Sequence, residues 1–425
     1  MSNIVKTLRE RGLLSDLTDP AFEQACEKKS FSVYIGFDPT AESLHIGSMV
    51  QIMVLKHFQM AGHRPIAVVG GGTGMVGDPS GRSSERNLLD AAQLAKNLEG
   101  IRRNLSQFID FEGDNAAKIV NNADWLAKLG FLEVLRDVGK YFRISDMLAK
   151  DSVKSRLNSE SGMSFTEFSY MILQAYDFKY LYEHYSCEVQ AGGSDQWGNI
   201  TAGTELIRRT LGGQGYGVTT SLLLNSEGEK MGKTAAGAVW LSAEKLSPYE
   251  YYQFWIRQED GDVERFLKML TLLPLEEISH IVAEHWKDPA WRVGQKALAF
   301  EITSMTHGRA EAEKAKQASE ALFSGPLAAK TDVQLRALFA EVPSVELKRA
   351  DLDAGFPLAD LLVQCGLVAS KGEAKRLMEQ RGVYLNNANE PLAVDKRTIT
   401  AADLASESML ILRAGKKKYC LARFA

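Results

Sequence analysis

Three segments near the N-terminus constrain the fold more than anything else in the chain. Phe31-Ser32-Val33-Tyr34-Ile35-Gly36-Phe37 reads as a strand. From Ile46 to about Met60, apolar residues recur at helical spacing (Met49, Ile52, Met53, Val54, Phe58), and Gly62 ends the run. Pro65 to Val69 is a second strand and is nearly all apolar, as expected where both faces of a parallel sheet are covered. Strand, crossover helix and strand in this order open a doubly wound, Rossmann-like α/β domain.

The pattern changes from about Ser242 to Ser324. There the β signals fade and Leu, Ala, Glu, Lys and Trp recur at helical periods, which predicts a helical domain. The Ala-, Gly- and Pro-rich stretch from Ser324 to Lys330 punctuates its end, and a joining segment runs on to about Ala350. Asp351 to Ala425 reads as a small α+β module with a short apolar helix over Leu358 to Val363. Ser370-Lys371-Gly372-Glu373 reads as a capping box, with Ser370 on the helix amides and Glu373 reaching back. The helix it opens brings Lys371, Lys375 and Arg376 close together, ends near Gly382 and yields to Val383-Tyr384-Leu385. The expected organisation is therefore a doubly wound domain over 1–241, a helical domain over 242–330, a linker over 331–350 and the small module over 351–425.

With 425 residues and a net charge of −4, the chain has room for two or three domains and does not coat nucleic acid through overall charge. A nucleic-acid partner would need a local basic patch. Cys26, Cys187, Cys365 and Cys420 form no CxxC pair, which disfavours a zinc knuckle or disulfide framework and suits a reducing compartment. Met1 to Lys6 lacks the apolar stretch of a signal peptide, and no apolar run approaches the ~20 residues of a membrane span. A cytoplasmic location is expected.

Gly72-Thr73-Gly74-Met75-Val76-Gly77 fits GxGxxG and follows a strand. A dinucleotide site also needs a helix directly after the glycines and then a strand ending in an acid about 20 residues on. Here Asp78-Pro79-Ser80-Gly81-Arg82 breaks the chain into a loop, Arg86 to Asn104 reads as helix, and no strand carries the acid. The plainer reading is a glycine-rich loop that lets a small ligand approach the backbone, with the Asp78 carboxylate facing a substrate ammonium. Asp78 as a simple turn residue before Pro79 is the competing reading.

Two further segments carry nucleotide chemistry when taken together. Asp38-Pro39-Thr40-Ala41-Glu42-Ser43-Leu44-His45-Ile46-Gly47-Ser48 lies between the first strand and its helix, where a helix N-terminus offers amides to phosphate. Lys230-Met231-Gly232-Lys233-Thr234 lies much later, and two lysines flanking a glycine could clamp a triphosphate. Either alone is more often structural or a solvated turn.

The pair resembles the HIGH and KMSKS signatures of class I aminoacyl-tRNA synthetases, in the right order on the right kind of fold. Tyr34 to Thr40, Gly74 to Pro79, Phe165 to Tyr170 and Gly192 to Ile200 narrow the resemblance to the bacterial tyrosyl-tRNA synthetase family. It covers essentially the whole chain, and the C-terminal module is similar to the S4 RNA-binding domain.

The resemblance implies that Tyr34 and Asp177 hold the phenol hydroxyl of tyrosine, a donor and an acceptor meeting both roles of a phenol. Asp78, Tyr170 and Gln174 would hold its ammonium, and Gln190 and Gln196 are further candidates for the amino-acid pocket. Tyr170, Gln174 and Asp177 are spaced i, i+4 and i+7 and so share a helix face. For ATP the resemblance implies Gly36, Asp38, Thr40, His45, Gly47, Ser48, Gly193, Asp195, Lys230, Lys233 and Thr234. Thr40, His45, Ser48, Lys230 and Lys233 would act on the phosphates.

Ser48 stands where the family signature usually has His or Asn, and Gly232 and Thr234 replace the serines of KMSKS. Magnesium would arrive with the triphosphate, with no protein-bound metal. The helical domain would bind the anticodon, and an insertion in the first domain would form a homodimer. Lys371, Lys375, Arg376, Lys416, Lys417 and Lys418 would face RNA, within a tail free of acids from Arg413 to Arg423. Two alternatives stay open: the tryptophanyl branch, which has no need of a Tyr34–Asp177 pair, and an RNA-binding protein built on an inactive core.

Overall fold

The computed structural model describes residues 3–425 apart from 81–90, 158–161, 235–236, 324–330, 333–334, 337–338, 340–341, 387, 389 and 416–417. For residues 91, 151, 152, 155, 233, 234 and 321–323 only the backbone is described. The chain divides into two compact units, one of residues 1–245 and 258–298, the other of 246–257 and 299–425.

The first unit is built on six strands, β1 (Leu14–Leu17), β2 (Ser32–Phe37), β3 (Arg64–Val69), β4 (Lys118–Asn121), β5 (Cys187–Gly193) and β6 (Tyr216–Thr220). They lie in the order β1-β6-β5-β2-β3-β4, with β1 antiparallel at one edge and the rest parallel. Val33, Ile35, Ile66, Val68, Val69 and Val189 are buried, because helices cover both faces of the central strands. The chain leaves β2 toward β3 on one side, while β5 pairs on the other. The carboxyl ends of these strands thus open a crevice at a topological switch point.

The helix Met49–Met60 crosses from β2 to β3, and nearly every apolar side chain on it is buried. The helix Phe165–Tyr185 is capped by Ser164, whose hydroxyl accepts from the Glu167 amide at 3.2 Å, and it ends at Ser186 in the left-handed conformation. Its partner Trp197–Leu211 ends at Gly212, also left-handed. The expected helix over Arg86 to Asn104 is seen as Ala91–Leu105, and residues 86–90 lie outside the described part.

In the second unit the helices Pro248–Ile256 and Arg309–Phe323 precede a four-stranded sheet in the order Val383–Leu385, Met409–Ala414, Lys418–Phe424, Ser344–Leu347. Leu410, Leu412 and Phe424 face a core with Leu358, Leu361 and Leu362. Met409, Ile411 and Leu421 face a second with Tyr249, Leu335 and Phe339. Ser344–Leu347, inside the stretch read as a joining segment, pairs parallel to Lys418–Phe424. Val345 and Leu347 turn toward the first core, an alternation of only four residues and too short to declare a strand from sequence.

The capping box differs in its second half. Ser370 accepts from the Glu373 amide at 3.2 Å, but the Glu373 carboxylate receives the Ala369 amide at 2.8 Å. All four cysteines are unoxidised and buried. Among the described residues no helix is long and apolar enough to cross a membrane.

Candidate active site

The crevice is a cleft of about 500 Å³ at the carboxyl ends of β2, β3 and β5, within the range typical of small-ligand sites. Its floor is a buried polar cluster. Tyr34 points from β2 toward Phe178, 5.4 Å between ring centres. The Tyr34 hydroxyl is buried and makes no hydrogen bond among the described residues. Its pKa is driven well above the usual phenol range, by burial first and by the nearby Asp177 charge second.

Asp177, on the Phe165–Tyr185 helix, is also buried. One carboxylate oxygen accepts from Trp125 Nε1 at 2.7 Å and the other from Asn122 Nδ2 at 2.9 Å. Burial lifts its pKa to about 7, and the Asn122 and Trp125 donors hold it from rising further. Asn122 is fully engaged: it also donates to Thr73 Oγ1 at 2.9 Å and accepts from the Gly72 amide at 2.8 Å. The glycine-rich loop after β3 is thereby tied to the end of β4.

A second polar chain lies along one wall. Asp78 accepts from the Ser80 amide and from Gln196 Nε2, both at 2.8 Å. Asn199 Nδ2 donates to Gln196 Oε1 and Gln174 Oε1, both at 3.0 Å. Burial, with the Asp38 charge in support, raises the Asp78 pKa to about 6 against these bonds. Tyr170, Gln174 and Asp177 all line the cleft, as their spacing on one helix face implies.

At the other end stand Gly36, Asp38, Thr40, His45, Gly47, Ser48, Gly193, Asp195 and Lys230. His45 Nδ1 accepts from the Gly47 amide at 3.0 Å, which leaves Nε2 to carry the proton of the neutral ring. A Cβ on Gly47 would fall 2.7 Å from the His45 ring and 3.0 Å from the Met231 carbonyl, so only glycine fits between them. The chain from Val239 to Leu241 returns alongside, with Ile46 N bonded to Val239 O and Leu241 N to Leu44 O, both 2.9 Å. Lys230 Nζ lies 3.3 Å from Asp195 Oδ2, both groups partly exposed.

Most of the sequence-derived residues thus meet in one cleft. Gln190 does not line it: it is buried on β5, and Gly203 leaves the room its side chain takes. Lys233 and Thr234 form a short strand, and their side chains lie outside the described part. Asn122, Trp125, Thr73 and Gln51 were not singled out from sequence. Nothing local in the sequence sets the first of them apart, because Asn121-Asn122 reads as a turn pair until β4 is seen to lie beside β3.

In the second unit Lys371, Lys375, Arg376 and Lys418 are exposed, with Lys371 Nζ 2.7 Å from Asp360. Lys416 and Lys417 lie outside the described residues. Among the described residues no group of three or more His, Cys, Asp or Glu is placed to hold a metal ion.

Residues 26–324 match the family described as tRNA synthetases class I (W and Y), and residues 334–422 match a tyrosine–tRNA ligase SYY-like C-terminal domain. A tyrosine–tRNA ligase of Roseiflexus castenholzii is 48% identical over 425 residues, covering 100% of both chains. One of Rhodopirellula baltica is 50% identical over 422 residues, 99% of this chain and 96% of that one. Among solved structures, a C-terminally truncated mitochondrial tyrosyl-tRNA synthetase of Aspergillus nidulans aligns with a TM-score of 0.69 at 34% identity. That alignment covers 76% of this chain and 95% of the other.

Proposed function

Since the chain belongs to the class I tRNA synthetases, and within them to the tyrosine–tRNA ligases, we infer that this cleft joins tyrosine to ATP and passes the product to tRNA. The observation that carries the reading is the floor of the cleft. A buried phenol hydroxyl with no protein partner stands near a buried carboxylate fixed by two N–H donors. A tyrosine phenol satisfies such a floor, because its oxygen accepts from Tyr34 while its hydrogen goes to Asp177. Phenylalanine would leave both groups desolvated and unpaired.

Asp78, Tyr170 and Gln174 then hold the ammonium. Asp78 must be ionised for this, and the cation draws its raised pKa back down. The tyrosine carboxylate is already an anion at neutral pH and needs no base. One of its oxygens attacks the α-phosphorus of ATP. The bond from that phosphorus to the bridging oxygen breaks, and pyrophosphate leaves with the electron pair. Asp195 accepts from the ribose, and Gly36, Asp38, Gly47, Ser48 and Gly193 line the nucleotide's path.

Thr40, His45, Lys230 and Lys233 stabilise charge that develops on the phosphates, with Thr234 beside them. Magnesium comes as part of the substrate, held by the triphosphate. The terminal ribose hydroxyl of tRNA then attacks the tyrosyl carbonyl and AMP leaves. Gln196 acts through Asp78, and Gln190 is retained only as a residue behind the pocket.

For the rest of the chain, the helices of 242–330 are assigned to the anticodon, although 242–245 and 258–298 belong to the first unit and the remainder to the second. Residues 351–425 are assigned to RNA; the stretch 331–350, expected as a link, instead adds Ser344–Leu347 to the sheet of that module. Lys371, Lys375, Arg376, Lys416, Lys417 and Lys418 would form the phosphate-facing patch. Phe131, Leu132, Leu135, Ile144, Leu148 and Phe165 are exposed, which supports a second copy covering them in a homodimer. A cytoplasmic location suits the four reduced, buried cysteines.

ATP–pyrophosphate exchange with tyrosine, tryptophan and phenylalanine in parallel tests the reading. Exchange with tyrosine alone is the expected result. Exchange with tryptophan, or none from folded protein, would overturn it.

A further inference from the structure

Lys230 enters the cleft on a hairpin, and the bonds of that hairpin fall into two sets. The internal set closes its turn. The Asn225 amide donates to Glu229 O at 2.9 Å, and Asn225 Oδ1 accepts from the Glu227 and Glu229 amides at 3.1 and 2.8 Å. The Met231 amide donates to Leu223 O at 2.8 Å, and Leu224 pairs with Lys230. These bonds shape the hairpin but do not say where it stands relative to the phosphates.

The external set does. The Ser226 amide donates to Asp262 Oδ2 at 3.0 Å, and Arg265 Nη2 donates to the Leu224 carbonyl at 2.8 Å. Arg265 Nη2 also donates to Asp262 Oδ1 at 2.5 Å, so the two side chains act as one clamp on Leu224 and the turn at Ser226. Asp262 is buried and Arg265 half-exposed.

Both belong to the start of the helix Val263–Leu270, and neither lines the cleft. That helix buries Val263, Phe266, Leu267 and Leu270. Arg11 ties its far end by donating to the carbonyls of Lys268, Thr271 and Leu273 at 3.1, 2.9 and 2.7 Å. A rigid path therefore runs from the N-terminal helix, through Val263–Leu270, to the hairpin and to Lys230.

We propose that Asp262 and Arg265 are positioning residues for adenylate formation, holding Leu224, opposite Lys230, and the turn at Ser226 so that Lys230 meets the triphosphate in the transition state. The proposal rests on the phosphate role given to Lys230 above. An Asp–Arg pair three residues apart could instead merely stabilise its own helix. The bond from Arg265 to the Leu224 carbonyl, on a different element, is what a helix-local pair has no use for.

The test is Arg265→Ala and Asp262→Asn in the full chain, read by exchange kinetics, tyrosine binding and thermal melting. A group that acts only on the transition state loses kcat while ground-state binding holds. A misplaced lysine should lower kcat by about 10- to 100-fold. Tyrosine affinity should stay within about twofold, because nothing in the phenol or ammonium pockets is disturbed. Arg265→Lys keeps a donor and should restore most of kcat.

On a Lys230→Ala background, Arg265→Ala should then add less than about a further twofold, as for groups acting through one another. If the full loss persists there, or if tyrosine binding and melting fall together with kcat, the clamp is only structural. Should Arg265→Ala fail to fold, Asp262→Asn, which keeps the side-chain shape, decides by the same readouts. Wild-type protein that shows no tyrosine-dependent exchange refutes the functional reading itself; an active wild type with unaffected variants refutes only the clamp.

Discussion

Replacing Asn122 with alanine removes one of the two N–H donors that favour the ionised form of Asp177 in a buried site. The Asp177 pKa of about 7 is a balance between burial, which raises it, and the bonds from Asn122 and Trp125, which lower it. A hydrogen bond to a charged group is worth about 1.5–3 kcal/mol, and about 1.4 kcal/mol corresponds to one pKa unit. Asn122→Ala should therefore move the Asp177 pKa up by about 1 to 2 units.

At neutral pH the variant would hold Asp177 largely protonated. The oxygen that Asn122 releases in the variant takes the added proton, and a neutral carboxyl is the weaker acceptor for a phenol hydrogen. The assay is the pH profile of kcat/KM for tyrosine, which reports groups of the free enzyme. In the wild type it should fall as pH drops through about 7, and more steeply below about 6 as Asp78 also takes up a proton. In Asn122→Ala the first fall should move to higher pH while the Asp78 limb stays. Trp125→Phe, which can keep the stack on Tyr180 at 4.6 Å, should shift the same limb in the same direction. A uniform drop in kcat/KM with no shift would show that Asn122 matters through packing and not through the charge on Asp177.

Three further outcomes are expected. Tyr34→Phe removes a neutral hydrogen-bond donor worth about 0.5–1.5 kcal/mol, so discrimination between tyrosine and phenylalanine in exchange should narrow by about 2- to 13-fold. Lys230→Ala should lower kcat by about 100-fold while tyrosine binding measured by equilibrium dialysis stays close to wild type. His57 is buried, and burial first and the Arg11 charge second hold its pKa near 4 against 6.5 for the free ring. The unfolded ring takes a proton first as pH falls from about 6.5 toward 4, so this group withdraws at most about 3 kcal/mol of stability across that window. His57→Leu should flatten the acid-side decline in melting temperature.

What was legible in the sequence was local. The family resemblance named Tyr170, Gln174 and Asp177, helical spacing put them on one face, and all three line the cleft. The strand–helix–strand opening follows from apolar patterning, and β2, Met49–Met60 and β3 appear where the pattern put them. Asn122 was out of reach because its role depends on β4 lying beside β3, a pairing between distant segments. Taken alone, an asparagine at a strand end reads as a turn residue. Gln190 erred in the opposite sense. It is the register partner of Tyr34 across β5 and β2, yet its side chain fills space left by Gly203 and stays out of the cleft. The Asp262–Arg265 clamp was hidden for the same reason as Asn122, since it joins residues 36 positions apart.

The two ends of the cleft hold charge by different means, and the fold explains the division. The end proposed for the phenol and ammonium lies where β3, β4 and the Phe165–Tyr185 helix converge, so its carboxyls are buried and depend on fixed N–H donors to ionise. Such a site is rigid and selective, because an ill-matched ligand strands groups that water cannot reach. The end proposed for the phosphates has Lys230 partly exposed on a hairpin that is fastened along one side, at Leu224 and at Ser226 in the turn. A cation held in that way can meet charge as it develops and can let pyrophosphate leave, which a buried lysine locked in an ion pair could not do. Selection of the amino acid and release of the product therefore ask for opposite degrees of burial, and the doubly wound sheet supplies both along one row of strand ends.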